Sequence, residues 1–135
     1  MVEEFYFDTS IWIDFYEKRE RNGEYALEFI MKIITNSWRL AYSDLHIKEF
    51  KHLEYSNDEI NDIFHIIKPN NIKHIHIYKE QIEEARNIAR QRKLPHNDVL
   101  HALLCRDNNV QLISRDLHFE KLKDITKAGK PEDFI

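Results

Sequence analysis

Four acidic residues carry the chemistry that this sequence suggests. Asp8 directly follows the apolar run 5–7, and Asp116 follows the apolar run 110–113 after Ser114 and Arg115. Each stands where a strand gives way to a helix, the edge at which parallel α/β sheets gather ligands. Either one alone reads equally as a helix N-cap. Glu49 is harder to explain in that way, because it lies four residues after Leu45 and four before Leu53 and so shares their apolar helical face. Asp98 repeats the pattern with Ala102 and Cys105. A carboxylate on a buried face needs a hydrogen-bond donor, a proton or a cation. Four of them at one edge would repel one another unless a divalent cation neutralised them, and oxygen donors without cysteine select Mg²⁺ or Mn²⁺ over zinc. Such a centre suits phosphodiester hydrolysis. Thr9, Ser10 and Ser114 lie beside these acids and can orient a water or ligand, or simply cap their own turns.

The elements that must position these residues follow from hydrophobic periodicity. Residues 4–7 read as a strand, and a helix carrying Ile11, Trp12 and Phe15 follows the turn Asp8-Thr9-Ser10. Arg21-Asn22-Gly23 reads as a connector, and residues 24–35 as a helix with Leu27, Ile30, Met31 and Ile34 on its apolar face. A second strand ends near Ser43, residues 45–55 are helical, and Asn57-Asp58 caps another helix that Pro69 breaks. Ile72, Ile75 and Ile77 suggest a third strand. Residues 78–93 form a surface helix with pairs such as Glu83 with Arg86. Asn97-Asp98 opens a helix that is apolar nearly all round and therefore buried, and residues 110–113 form a fourth strand. Strands alternating with helices, without tight hairpins, imply a parallel sheet covered on both faces.

Composition bounds the answer. A chain of 135 residues that is 42% hydrophobic is long enough for one domain spanning 1–135 with its own core. Gly23 and Gly129 are the only glycines, which excludes glycine-rich phosphate loops, and the lone Cys105 excludes an internal disulfide. The acidic start, residues 1–7, lacks the basic residues of a secretory leader, and no apolar stretch is long enough to span a bilayer. A cytoplasmic protein with no membrane partner is expected. Net charge is −4, with acids dominating up to residue 66 and bases slightly ahead afterwards, so only local basic patches are available to a polyanion.

The segments Phe5-Tyr6-Phe7-Asp8-Thr9-Ser10, Glu49 after the second strand, Leu94-Pro95-His96-Asn97-Asp98, Ser114-Arg115-Asp116 and Lys130-Pro131-Glu132-Asp133-Phe134 together resemble the PIN-domain nucleases, in particular the VapC-type toxins. The resemblance spans nearly the whole chain. It implies a three-layer α/β/α sandwich around a central, mainly parallel sheet of four to five strands, with Asp8, Glu49, Asp98 and Asp116 as catalytic and metal-binding acids. It further implies Mg²⁺- or Mn²⁺-dependent cleavage of RNA, a homodimer and a small antitoxin partner. An RNA-binding or assembly protein of the same fold, with a metal site but without turnover, is the alternative. Many members carry a further acid shortly after the last Asp, where this chain has Leu117, His118 and Phe119.

Other groups admit weaker readings. Arg115, Arg86 and Arg90 are candidates for a phosphate track, and His101 either pairs with an acid, contacts substrate or is structural. His74 and His76 share a strand face but lack a third ligand in sequence. Glu49-x-x-His52 is half of a di-iron pattern whose second copy is missing. A phosphatase of the haloacid-dehalogenase type would want an aspartate where Ser10 stands.

Overall fold

A computed structural model describes residues 3–135; Met1 and Val2, the first part of the acidic start, lie outside the described residues. Four parallel strands, β1 (Glu4–Phe7), β2 (Arg39–Ser43), β3 (Ile72–Ile75) and β4 (Gln111–Ile113), form one sheet in the order β3-β2-β1-β4. The six helices are α1 (Thr9–Tyr16), α2 (Glu20–Thr35), α3 (Asp44–His52), α4 (Asn57–His65), α5 (Lys79–Arg92) and α6 (His96–Asn108), followed by 3-10 turns at Leu117–Leu122 and Pro131–Asp133. A fifth strand is reduced to a single parallel bridge between Ile113 and Gly129.

Alternation along β1 explains the layering. Phe5 and Phe7 point into a core shared with α1, α2, α3 and α4, whereas Tyr6 points into a second core built by α5 and α6. Both faces are covered, as a parallel sheet requires. Helix α6 is buried from Val99 through Cys105, and burial pushes the Cys105 thiol well up, leaving it inert. No described helix is long and apolar enough to cross a membrane.

Several boundaries differ from the sequence expectation, each for a physical reason. Gly23 is not a connector but lies inside α2; a Cβ there would stand 2.7 Å from the Asp14 carbonyl oxygen, so the glycine serves the close approach of two helices. The chain turns instead at Lys18 and Glu20, both with positive φ. The buried face of α2 is Ala26, Phe29, Ile30 and Ile33, while Leu27 and Met31 are exposed. Ser56, not Asn57-Asp58, caps α4, in a reciprocal box with Glu59. Ile77 lies beyond β3. Helix α6 begins at His96, after Pro95, so Asp98 sits in its first turn rather than at its cap. No ion pair between Glu83 and Arg86 forms among the described residues; Glu84 instead pairs with Arg106 of α6. Tyr6, Trp12 and Phe119 are core side chains.

Candidate active site

Because every strand runs the same way, β1, β2 and β4 deliver their carboxyl ends, and the residues that follow, to one edge. Asp8 follows β1, Glu49 lies on the helix after β2, and Asp116 lies just beyond β4. Asp98 joins them from the first turn of α6. All four line one cleft of about 680 Å³, together with Thr9, Ser10, Ile13, Lys48, Lys51, His52, Leu53 and Asn97.

The two strand-end aspartates are used differently. Asp8 occupies the N-cap position of α1 but makes no side-chain cap. Its Oδ2 accepts hydrogen bonds from Ser114 at 2.9 Å and Ser10 at 3.2 Å. Burial raises its pKa, against the lowering field of His101 and the two serine bonds. Asp116 does cap, accepting from the His118 backbone N–H at 2.9 Å. Ser114 also accepts from the Asp116 backbone N–H at 3.0 Å, so a single hydroxyl ties the ends of β1 and β4 together.

Glu49 is the best-held of the four. Its Oε1 accepts from Thr9 at 2.5 Å and from His101 Nε2 at 2.7 Å, and its Oε2 has only a long bond from Asn97 at 3.3 Å. Burial works against the carboxylate, but His101 and Thr9 outweigh it and hold its pKa at about 2. Burial likewise pulls His101 down, yet the bond and charge of Glu49 prevail and its pKa is raised. His101 Nδ1 meets the Tyr6 hydroxyl at 2.6 Å, and that hydroxyl meets Ser43 at 3.0 Å. Ser43, Tyr6 and His101 are fully buried, so this polar chain runs from the core to the cleft and ends on one carboxylate oxygen. The face of Glu49 is only half apolar as expected: Leu45 is buried but Leu53 is exposed.

A second buried histidine, His46, went unnoticed in sequence although it stands where a capping box would place Glu or Gln. Its Nδ1 accepts from the Ser43 backbone N–H at 3.1 Å, so Nε2–H donates to the Phe7 carbonyl. Burial, reinforced by the neighbouring His101, lowers its pKa from 6.5 to about 3. An unfolded chain protonates this residue below about pH 6.5 whereas the folded one does not. His46 therefore withdraws stability as pH falls from about 6.5 towards 3, at no more than about 1.4 kcal/mol per pH unit. Denaturant titrations across this window are expected to give His46→Gln a shallower pH dependence than the parent; an equal slope would show that His46 is protonated in the fold.

Asp98 and Asp116 share His118, a residue the sequence analysis did not select. Its Nδ1 lies 2.7 Å from Asp98 Oδ2 and 3.2 Å from Asp116 Oδ1. Burial raises the pKa of Asp98, partly offset by the His118 bond and reinforced by Asp8 and Asp116. Ligand atoms of Asp98, Asp116 and His118 lie within 4.8 Å of one another, the one such group among the described residues. His74 instead pairs with Asp44, and His76 stacks on Tyr78.

The donor set fits a hard divalent cation. Oδ1 of Asp8, Oδ1 of Asp98 and Oδ2 of Asp116 have no hydrogen-bond partner among the described residues, and Glu49 Oε2 is barely engaged. Burial disfavours the charged forms of Asp8 and Asp98, and a cation is what would compensate them. The expected arginines are not gathered here. Arg115 forms a two-pronged pair with Glu132 at 2.7 and 2.8 Å, and Arg86 and Arg90 lie on α5, outside the cleft lining.

The PIN domain family model matches residues 5–125 of this chain. No curated protein matches it. Among solved structures, a chain of VapBC2 from Rickettsia felis, bound to a DNA fragment from its promoter, is similar with a TM-score of 0.69. That likeness covers 94% of this chain and 98% of the other at 16% identity.

Proposed function

As the chain belongs to the PIN-domain family, we propose that it is a divalent-metal-dependent endoribonuclease acting as a single cytoplasmic domain. The observation that carries this reading is the meeting of four carboxylates in one cleft, each with an oxygen left free or nearly so. Asp8, Glu49, Asp98 and Asp116 would hold Mg²⁺ or Mn²⁺. When bound, such an ion supplies a water of lowered pKa and neutralises charge developing on the scissile phosphate. The chain's own part is positional. Ser10 and Ser114 fix Asp8, Thr9 and His101 fix one oxygen of Glu49, and Asn97 lies against the other. Water adds to phosphorus as the P–O3′ bond breaks, leaving a 5′-phosphate and, once protonated, a 3′-hydroxyl.

The likeness to a VapBC2 chain supports a further reading as the toxin of a toxin–antitoxin pair, a homodimer restrained by a small antitoxin. Its test is co-purification with the product of an adjacent short gene.

The nuclease is tested with labelled single-stranded and structured RNA. Cleavage is expected with Mg²⁺ or Mn²⁺, to vanish with chelator and to return when the metal is restored. His118, set between Asp98 and Asp116, gives the alternative of RNA binding without turnover a specific basis, since its ring Nδ1 already occupies the space between the two carboxylates. Tight RNA binding with no metal-dependent cutting would decide for that alternative.

A further inference from the structure

A polyanion approaching four carboxylates needs positive charge or hydrogen-bond donors at the same place. Several basic side chains near the acidic edge are engaged, while Lys127 and Lys130 line a separate pocket on the far side of Asp116 and not the cleft of the four acids. Arg115 is held by Glu132, Arg92 by Asp124, and His118 by Asp98 and Asp116. Lys48, Lys51 and His52 line the cleft, and none of them makes a hydrogen bond or ion pair with a described side chain.

Their placement follows from a single element. All three lie on α3, the helix that carries Glu49, so the acid and these side chains move as one body. On that helix Lys48 and His52 are four residues apart and project side by side along one flank, next to the face of Glu49. Leu53, exposed, and Ile13 add apolar surface to the same cleft.

We infer that Lys48, Lys51 and His52 form the phosphate track of this site, so that the nucleic-acid strand enters over α3 and not over the α5 arginines. The inference rests on the nuclease reading and assigns its substrate-binding residues. Lys48 and Lys51 neutralise phosphates flanking the one at the acids, and His52 donates a hydrogen bond to a phosphate oxygen. The contacts are to backbone and carry no base preference.

The test measures binding of a labelled single-stranded RNA across a salt series, in an Asp98→Asn background so that no strand is cut. Lys48→Ala/Lys51→Ala is compared with Arg86→Ala/Arg90→Ala. The lysine pair is expected to lose roughly tenfold in affinity at low salt and to flatten the slope of log K against log salt by about 1.4, the release expected for two single-strand phosphate contacts. The arginine pair is expected to match the background in both. Mn²⁺ affinity, measured by calorimetry on the same substitutions in the native acid background, should stay unchanged, which separates lost phosphate contact from a disturbed acid cluster. Equal affinity and slope for the lysine pair would overturn the track and leave the nuclease standing; they would then be serving only the C-terminal dipole of α3. Loss confined to the arginine pair would overturn it in favour of α5. Absence of RNA affinity in the background and the parent alike would overturn both readings together.

Discussion

Asp98→Asn is expected to lower metal-dependent RNA cleavage about a thousandfold or more while leaving the fold at least as stable as the parent. The first half follows from its place: Asp98 brings an unpartnered carboxylate oxygen to the cleft, and an amide is a poor ligand for a hard cation. A thousandfold corresponds to about 4 kcal/mol of transition-state stabilisation, within the reach of a single preorganised charged group. The second half follows from the electrostatics. Burial and the fields of Asp8 and Asp116 all disfavour the Asp98 charge, and only His118 supports it. Asparagine keeps the shape and an acceptor for His118 but removes a repelled charge, so stability should rise by up to about 1 kcal/mol. Cleavage rates together with denaturant midpoints check both. Cleavage within tenfold of the parent would remove Asp98 from the mechanism, and a large loss of stability would show that its charge is compensated by the fold itself.

His101→Leu carries the largest expected cost to folding, about 3–5 kcal/mol. The substitution removes the donor that holds Glu49 Oε1 and leaves the Tyr6 hydroxyl, fully buried, with Ser43 as its remaining partner. Breaking a buried pair on one side leaves the other charge uncompensated, which costs more than the pair itself contributes. Glu49→Gln in the same chain should recover at least about 1 kcal/mol, since the amide still accepts from Thr9 and carries no charge. Chemical denaturation of the two single variants and the double variant gives this coupling. Additive losses would mean that Glu49 is solvated and that the chain from Ser43 to the cleft does not hold it.

The α/β alternation and most element positions were legible in the sequence because parallel strands buried on both faces leave continuous apolar runs, and α6, apolar all round, marks a central helix. Where local reasoning failed, a tertiary contact had overruled it. Gly23 suggested a loop because glycine is flexible, but its use here is absence of bulk against Asp14. Leu27 and Met31 suggested a buried face because they are apolar, but the sheet takes the neighbouring residues. That Arg115, beside Asp116, is paired with Glu132 was likewise visible only in the fold.

What residue order alone determined is the set of strand–acid–helix junctions: parallel strands must present their carboxyl ends together, so Asp8 and Asp116 could be placed at a common edge without coordinates. Which oxygens of Asp8, Glu49 and Asp98 are occupied depended on partners 20 to about 100 positions away. Hydrogen bonding in a buried site is decided at a few ångströms, a scale that periodicity along a chain does not reach, and only the folded arrangement of β1, α3, α6 and the turn after β4 supplied it.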